Sequence, residues 1–121
     1  MNINELERWL RAYGDAWEQR DAAGACRLFA NDALYYETPY AEPFRGRDGI
    51  GSYWSSVTAD QRDIRFESTP IGVVGSTGIA RWSAKFKLAS SGADVELNGV
   101  FLLEFDDQGR CTTLREWWHA R

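Results

Sequence analysis

LFANDALYYETPYAEPFRGRDGIGSYW, residues 28–54, passes from the end of one helix through a strand and a loop into the next helix, and its reading decides how the rest of the chain is arranged. Asn31-Asp32 after the apolar Leu28-Phe29 reads as a helix stop. Ala33 to Thr38 is rich in strand formers and ends at Pro39, which cannot extend a ladder. Period-two alternation places Ala33, Tyr35 and Glu37 on one face and Leu34, Tyr36 and Thr38 on the other. Glu37 is thus delivered to a strand end in line with an aromatic ring. If that face is the covered, concave one, burial makes the carboxyl a usable acid or base near neutral pH; otherwise Glu37 marks a solvated strand end, as most glutamates do.

Upstream, Ile3, Leu6, Leu10, Tyr13 and Trp17 recur at steps of three and four, which predicts a helix with one apolar stripe over residues 3–20. A buried phenol needs a hydrogen-bond partner, so Tyr13 is either a core aromatic or a donor pointing into the space that Glu37 faces. Asp21 caps a second, short helix running to about Phe29. Downstream, Tyr40 to Arg45 is a loop bearing Pro43. Gly46-Arg47-Asp48 then opens a third helix, with Asp48 favourable to the helix dipole. Gly49 and Gly51 weaken that helix, so Ile50, Tyr53, Trp54 and Val57 must hold it by packing.

Beyond the polar segment 58–63 the pattern changes to strands. Ile64 to Val74 alternates at first, and Pro70 predicts a bulge or an edge position. Trp82, Ala84, Phe86 and Leu88 alternate with Arg81, Ser83, Lys85 and Lys87 in the cleanest strand signal of the chain. Val95 to Phe105 returns as a long strand, and Arg110 to His119 is the last. On it Leu114, Glu116 and Trp118 share one face and Arg115, Trp117 and His119 the other. Trp82, Phe86, Leu103 and Phe105 are expected to share the concave face with the stripe of the first helix. Three helices around one early strand, then four long strands joined by tight turns, predict an α+β fold with a strongly curved mixed or antiparallel sheet. The wedge between helices and sheet is the expected ligand site.

A chain of 121 residues, 44% apolar and 14% aromatic, is read as one domain, residues 1–121. Its net charge of −4 and the absence of lysine or arginine runs argue against nucleic acid as a partner. MNINELERWL has no apolar stretch of the kind that directs export, and no run of 18 apolar residues occurs, so the expected location is the cytoplasm with no membrane span. Cys26 and Cys111 have no metal-ligand spacing and only His119 beside them, so reduced thiols and no metal or cofactor are expected. Apolar residues on both faces around Val100 to Leu103 and at Trp117-Trp118 predict a homodimer through the convex sheet face.

The run AW-x-x-RD-x4-CRLFANDALYYETP (Ala16 to Pro39), FRGRDGIGSYW (Phe44 to Trp54) and FDDQGRCTTLREWW (Phe105 to Trp118) resemble the nuclear transport factor 2-like superfamily, in particular its SnoaL-like and ketosteroid isomerase-like members. That resemblance implies a cone-shaped mixed sheet wrapped around three N-terminal helices, a cystatin-like α+β roll. It places Glu37 where the isomerase-like enzymes keep a catalytic aspartate and Tyr13 where they keep an oxyanion-hole tyrosine. Phe101 stands where a second, protonated acid would be, a departure from the steroid isomerase pattern, and Glu116 on the inward parity of the last strand is the candidate replacement. Its other reading is a rim glutamate paired with an arginine. Trp17, Tyr35, Trp54, Trp82, Phe101 and Trp118 are the expected substrate-binding lining. Two functions are implied. One is a cofactor-independent isomerase, lyase or cyclase moving a proton on an apolar cyclic or aromatic carbonyl compound. The other is a non-catalytic module that binds a small apolar molecule or dimerises.

Overall fold

A computed structural model describes residues Met1–Arg121. Helix α1 (Ile3–Glu18) starts at a capping box in which the Glu5 amide donates to Asn2 Oδ1 at 2.9 Å and the Asn2 amide donates to Glu5 Oε1 at 3.0 Å. Leu6, Trp9, Leu10, Tyr13 and Trp17 form its buried stripe, whereas Ile3, at the helix start, is 42% exposed. Helix α2 (Ala22–Cys26) is capped by Asp21, which accepts from the Gly24 amide. It ends three residues short of Phe29, because the chain turns there into strand β1 (Phe29–Tyr36).

Asn31-Asp32 is therefore not a helix stop. The pair sits exposed inside β1, where the register against β6 (Cys111–Ala120) slips between Phe29 and Leu34, so the polar residues are extruded as a bulge and Ala33 and Tyr35 return to the core. Within the expected loop, Phe44–Arg45 pairs with Tyr35 and Leu34 as the short strand β2. Helix α3 (Gly46–Thr58) follows, with Arg47 Nε donating to the Phe29 carbonyl at 2.9 Å and tying the helix start to β1. The polar segment 58–63 divides: Thr58 closes α3 with Oγ1 on the Trp54 carbonyl, and β3 (Gln61–Val74) begins three residues later.

β3, β4 (Thr77–Leu88), β5 (Asp94–Phe105) and β6 form an antiparallel meander, and β1 joins β6 in parallel, giving one mixed sheet in the order β2-β1-β6-β5-β4-β3. The α+β class, three helices and curved, unclosed mixed sheet agree with the expectation. Register breaks at Arg62/Arg65, where Asp63 has φ 54°, and at Pro70/Gly72 bend β3 over the helices.

Glycines on α1 and β5 let large rings pack closely. A Cβ on Gly99 would lie 2.5 Å from the Trp117 carbonyl oxygen and 2.9 Å from Trp82 Cε2, and one on Gly14 would lie 2.6 Å from the Phe66 ring. Trp82, Phe86, Leu103 and Phe105 are buried, and α1 packs onto two of them, Trp9 meeting Phe105 at 5.5 Å and Trp17 meeting Trp82 at 5.7 Å between centroids. No helix is long and apolar enough to cross a membrane.

Candidate functional site

A cavity of about 200 Å³ lies between the concave sheet face and helices α1 and α3. Helix α1 contributes Tyr13 and Trp17, one turn apart on its buried stripe. Helix α3 contributes Tyr53, Trp54 and Val57. Trp82 and Phe86 come from β4, Leu97 from β5, and Glu116 and Trp118 from β6. Tyr35 and Glu37 reach the cavity from β1 and its end, and Gln61 from the start of β3. Val57 and Trp118, each 36% exposed, mark its mouth. A groove of about 330 Å³ between α1 and β3 is lined mainly by polar groups such as Glu7, Arg11 and Asp15 and holds no buried carboxyl.

Glu116 is the chemically unusual member. Its place opposite Phe101 in the β5–β6 register turns it to the concave face, and it is only 6% exposed. Burial, with the negative charge of Glu37 adding to it, pushes its carboxyl up to about 8, while the hydrogen bond from Tyr35 pulls the other way. Tyr35 donates to Glu116 Oε1 at 3.3 Å, and the Tyr13 and Tyr35 oxygens are 3.0 Å apart. Because the Tyr35 hydrogen is committed to Glu116, Tyr13 is the donor in that second bond. The direction of the chain is therefore Tyr13 to Tyr35 to Glu116, leaving Oε2 for the cavity. Burial, and then the charge of Glu116, raises the pKa of Tyr13, Tyr35 and Tyr53, so all three phenols remain protonated donors in the neutral range.

Glu37 is half-buried rather than covered, because β1 ends at Tyr36 and the chain leaves the sheet there. Trp118 Nε1 donates to its backbone carbonyl at 3.3 Å and holds that segment across the mouth. Trp17 Nε1 donates to Gln61 Oε1 at 2.8 Å. The indole nitrogens of Trp54 and Trp82 are buried without a partner.

Glu37, Tyr13 and Glu116 are thus brought to one cavity with Trp17, Tyr35, Trp54, Trp82 and Trp118. Phe101 is not on its wall. It is fully buried behind it, stacked on Trp82 at 5.1 Å and 15° and packed edge-on to Tyr13, so it supports two lining rings instead of meeting a ligand. Sequence reasoning missed Tyr53, Val57, Gln61, Phe86 and Leu97 as lining residues. Tyr53 was visible only as a packing residue of α3, and a glutamine in a polar segment gives no signal of burial. His119 is exposed on the convex parity of β6. Both cysteines are free thiols, and no group of three or more His, Cys, Asp or Glu is placed to hold a metal ion.

The profile of the SnoaL-like domain matches residues 10–114. Among solved structures, the chain is similar to the epoxide hydrolase/cyclase-like enzyme SalBIII, which has a role in pyran ring formation in the polyether salinomycin, with a TM-score of 0.80 at 15% identity over 96% of this chain and 92% of that one. It is similar to a Bacillus subtilis protein provisionally designated an isomerase, with a TM-score of 0.83 at 20% identity over 98% and 90% of the two chains. It is also similar to RV0760c from Mycobacterium tuberculosis, with a TM-score of 0.85 at 14% identity over 100% and 97%. At these identities the likeness is one of fold. No curated protein matches the sequence.

Proposed function

The chain belongs to the SnoaL-like domain family, and from that premise we propose that it is a cofactor-independent enzyme of the isomerase or lyase type, moving a proton on a small cyclic or aromatic carbonyl compound. The observation that carries this reading is the pairing of two carboxyls in unequal surroundings, the buried Glu116, titrating at about 8, and the half-exposed Glu37 at the same cavity. Environments that separate two carboxyls in this way suit one to be an acid and the other a base. Glu37 takes the proton. Neutral Glu116 presents its Oε2 hydrogen to the oxygen on which negative charge develops, Tyr35 holds Oε1, and Tyr13 positions Tyr35. The Trp17, Trp54, Trp82 and Trp118 rings exclude water and hold the apolar body.

Deuterium exchange at the α-carbon of a panel of small cyclic ketones in D₂O, followed by NMR, tests the reading. Faster exchange with the protein than with buffer, lost in Glu37→Gln, is expected. Ketones that bind without any gain in exchange would leave a binding module in place of an enzyme.

Two copies pair through the convex face. Val100 and Trp117 are register neighbours, 38% and 46% exposed, with Leu102 two pairs along on the same face and Tyr36 beneath the Arg115 guanidinium at 4.1 Å. Two free thiols suit a reducing compartment, which favours the cytoplasm.

A further inference from the structure

Every charged side chain that lines the cavity is acidic: Glu37 and Glu116 face it, and no Lys, Arg or His does. Glu116 receives one hydrogen bond, from Tyr35 to Oε1, so its second oxygen is uncommitted inside a cavity that otherwise presents mainly rings. Those rings meet at corners instead of stacking flat. Trp17 and Trp54 stand 5.5 Å apart at 89°, Trp54 and Tyr13 5.3 Å apart at 84°, and Trp17 and Trp82 5.7 Å apart at 53°. These steeply inclined rings, carried by α1, α3 and β4, form a box of aromatic walls that a ligand meets on several sides. Such a box attracts positive charge through the ring quadrupoles, and a carboxylate beside it adds a direct Coulombic attraction. An anionic ligand would meet two carboxyls with no cation to offset them.

We propose that the ligand of this cavity is a small organic cation, a quaternary ammonium or protonated amine on an apolar skeleton, held by the tryptophan faces and by Glu37 and Glu116. The inference rests on the reading of this cavity as the ligand site and narrows its substrate class to compounds bearing a cationic nitrogen. It also couples binding to a proton. The titratable groups around Glu116 are Tyr13 from α1, Tyr35 and Glu37 from β1 and its end, and Tyr53 from α3, and the neighbouring β5 residue is the uncharged Phe101. A bound cation is therefore the one positive charge in the site, and it favours the ionised form of Glu116. A cation that offers no carbonyl oxygen, such as choline, therefore releases a proton on binding at neutral pH and binds more tightly as pH passes through about 8, whereas a substrate carbonyl that accepts from Oε2 keeps Glu116 neutral for the proton-transfer step.

Choline and its neutral carbon isostere, 3,3-dimethylbutan-1-ol, have the same shape and differ in charge, and both can be titrated against tryptophan fluorescence and by calorimetry. Choline is expected to bind at least about tenfold more tightly, the effect of one or two desolvated cation–π contacts. It should bind more tightly at pH 9 than at pH 6.5, with the pH dependence lost in Glu116→Gln and the preference for choline reduced in Glu37→Gln. Equal or tighter binding of the alcohol would overturn the cation proposal and leave the ligand-site reading standing. Binding of neither compound would overturn both.

Discussion

Tyr35 donates its hydroxyl hydrogen to Glu116 Oε1 across 3.3 Å, with the Tyr13 hydroxyl 3.0 Å behind it. The bond favours the charged carboxylate and so opposes the effect of burial. Tyr35→Phe should therefore move the titration of Glu116 further up from about 8, and Tyr13→Phe should move it less, because Tyr13 acts through Tyr35. Carboxyl ¹³C NMR checks both. A midpoint that falls in Tyr35→Phe would show that the bond is not made in solution.

Folding carries Glu116 from water, where its carboxyl titrates at its ordinary 4.5, into a site where it titrates at about 8. Below about pH 4.5 both states hold the proton, and Glu116 contributes nothing to the pH dependence. Between 4.5 and 8 only the folded state holds it, so this group lowers stability as pH rises through that window, reaching a penalty on the order of 5 kcal/mol above it. Glu116→Gln should remove that slope and be more stable than the unaltered protein at pH 9. Urea denaturation at several pH values measures it, and equal slopes in the two proteins would contradict the burial of a neutral acid.

Phe86 stands opposite Val95 on the concave face, 8% exposed, at one end of the cavity. Its truncation in Phe86→Ala should cost roughly 3–5 kcal/mol, as for other buried phenylalanines. A loss under about 1 kcal/mol would mean that the sheet is soft enough there to close the gap.

Much of the fold could be read from alternation. The period of Trp82 to Leu88 and the parity that turns Glu116 inward both depend only on which residues share a face, and a regular strand preserves that relation. Phe101 shows where such reading stops: its parity is right, but Trp82 lies between it and the cavity, and depth behind a neighbouring ring has no period. Asn31-Asp32 misleads for a different reason. A polar pair after an apolar one looks the same whether it ends a helix or leaves a strand as a bulge, and the parallel partner that decides the matter, β6, is about eighty residues away in sequence. The coverage of Glu37 depended on where β1 ends, and strand ends are set by what the chain packs on next.

The convex face gives a prediction about assembly. Light scattering should report a dimer mass at micromolar concentration and a monomer for Trp117→Glu, since a carboxylate placed beside Val100 would be desolvated in the joint. A monomer mass for the unaltered protein would remove the argument for pairing through this face.

The central claim is that Glu116 is a neutral acid at pH 7 beside a second carboxyl, and titrating the ¹³C signal of its own side chain, assigned by its loss in Glu116→Gln, tests this most directly. A single midpoint near 8, well above the ordinary carboxyl value, is expected. A midpoint near 4.5 would mean that Glu116 is ionised at neutral pH, and the assignment of acid and base in this cavity would be contradicted.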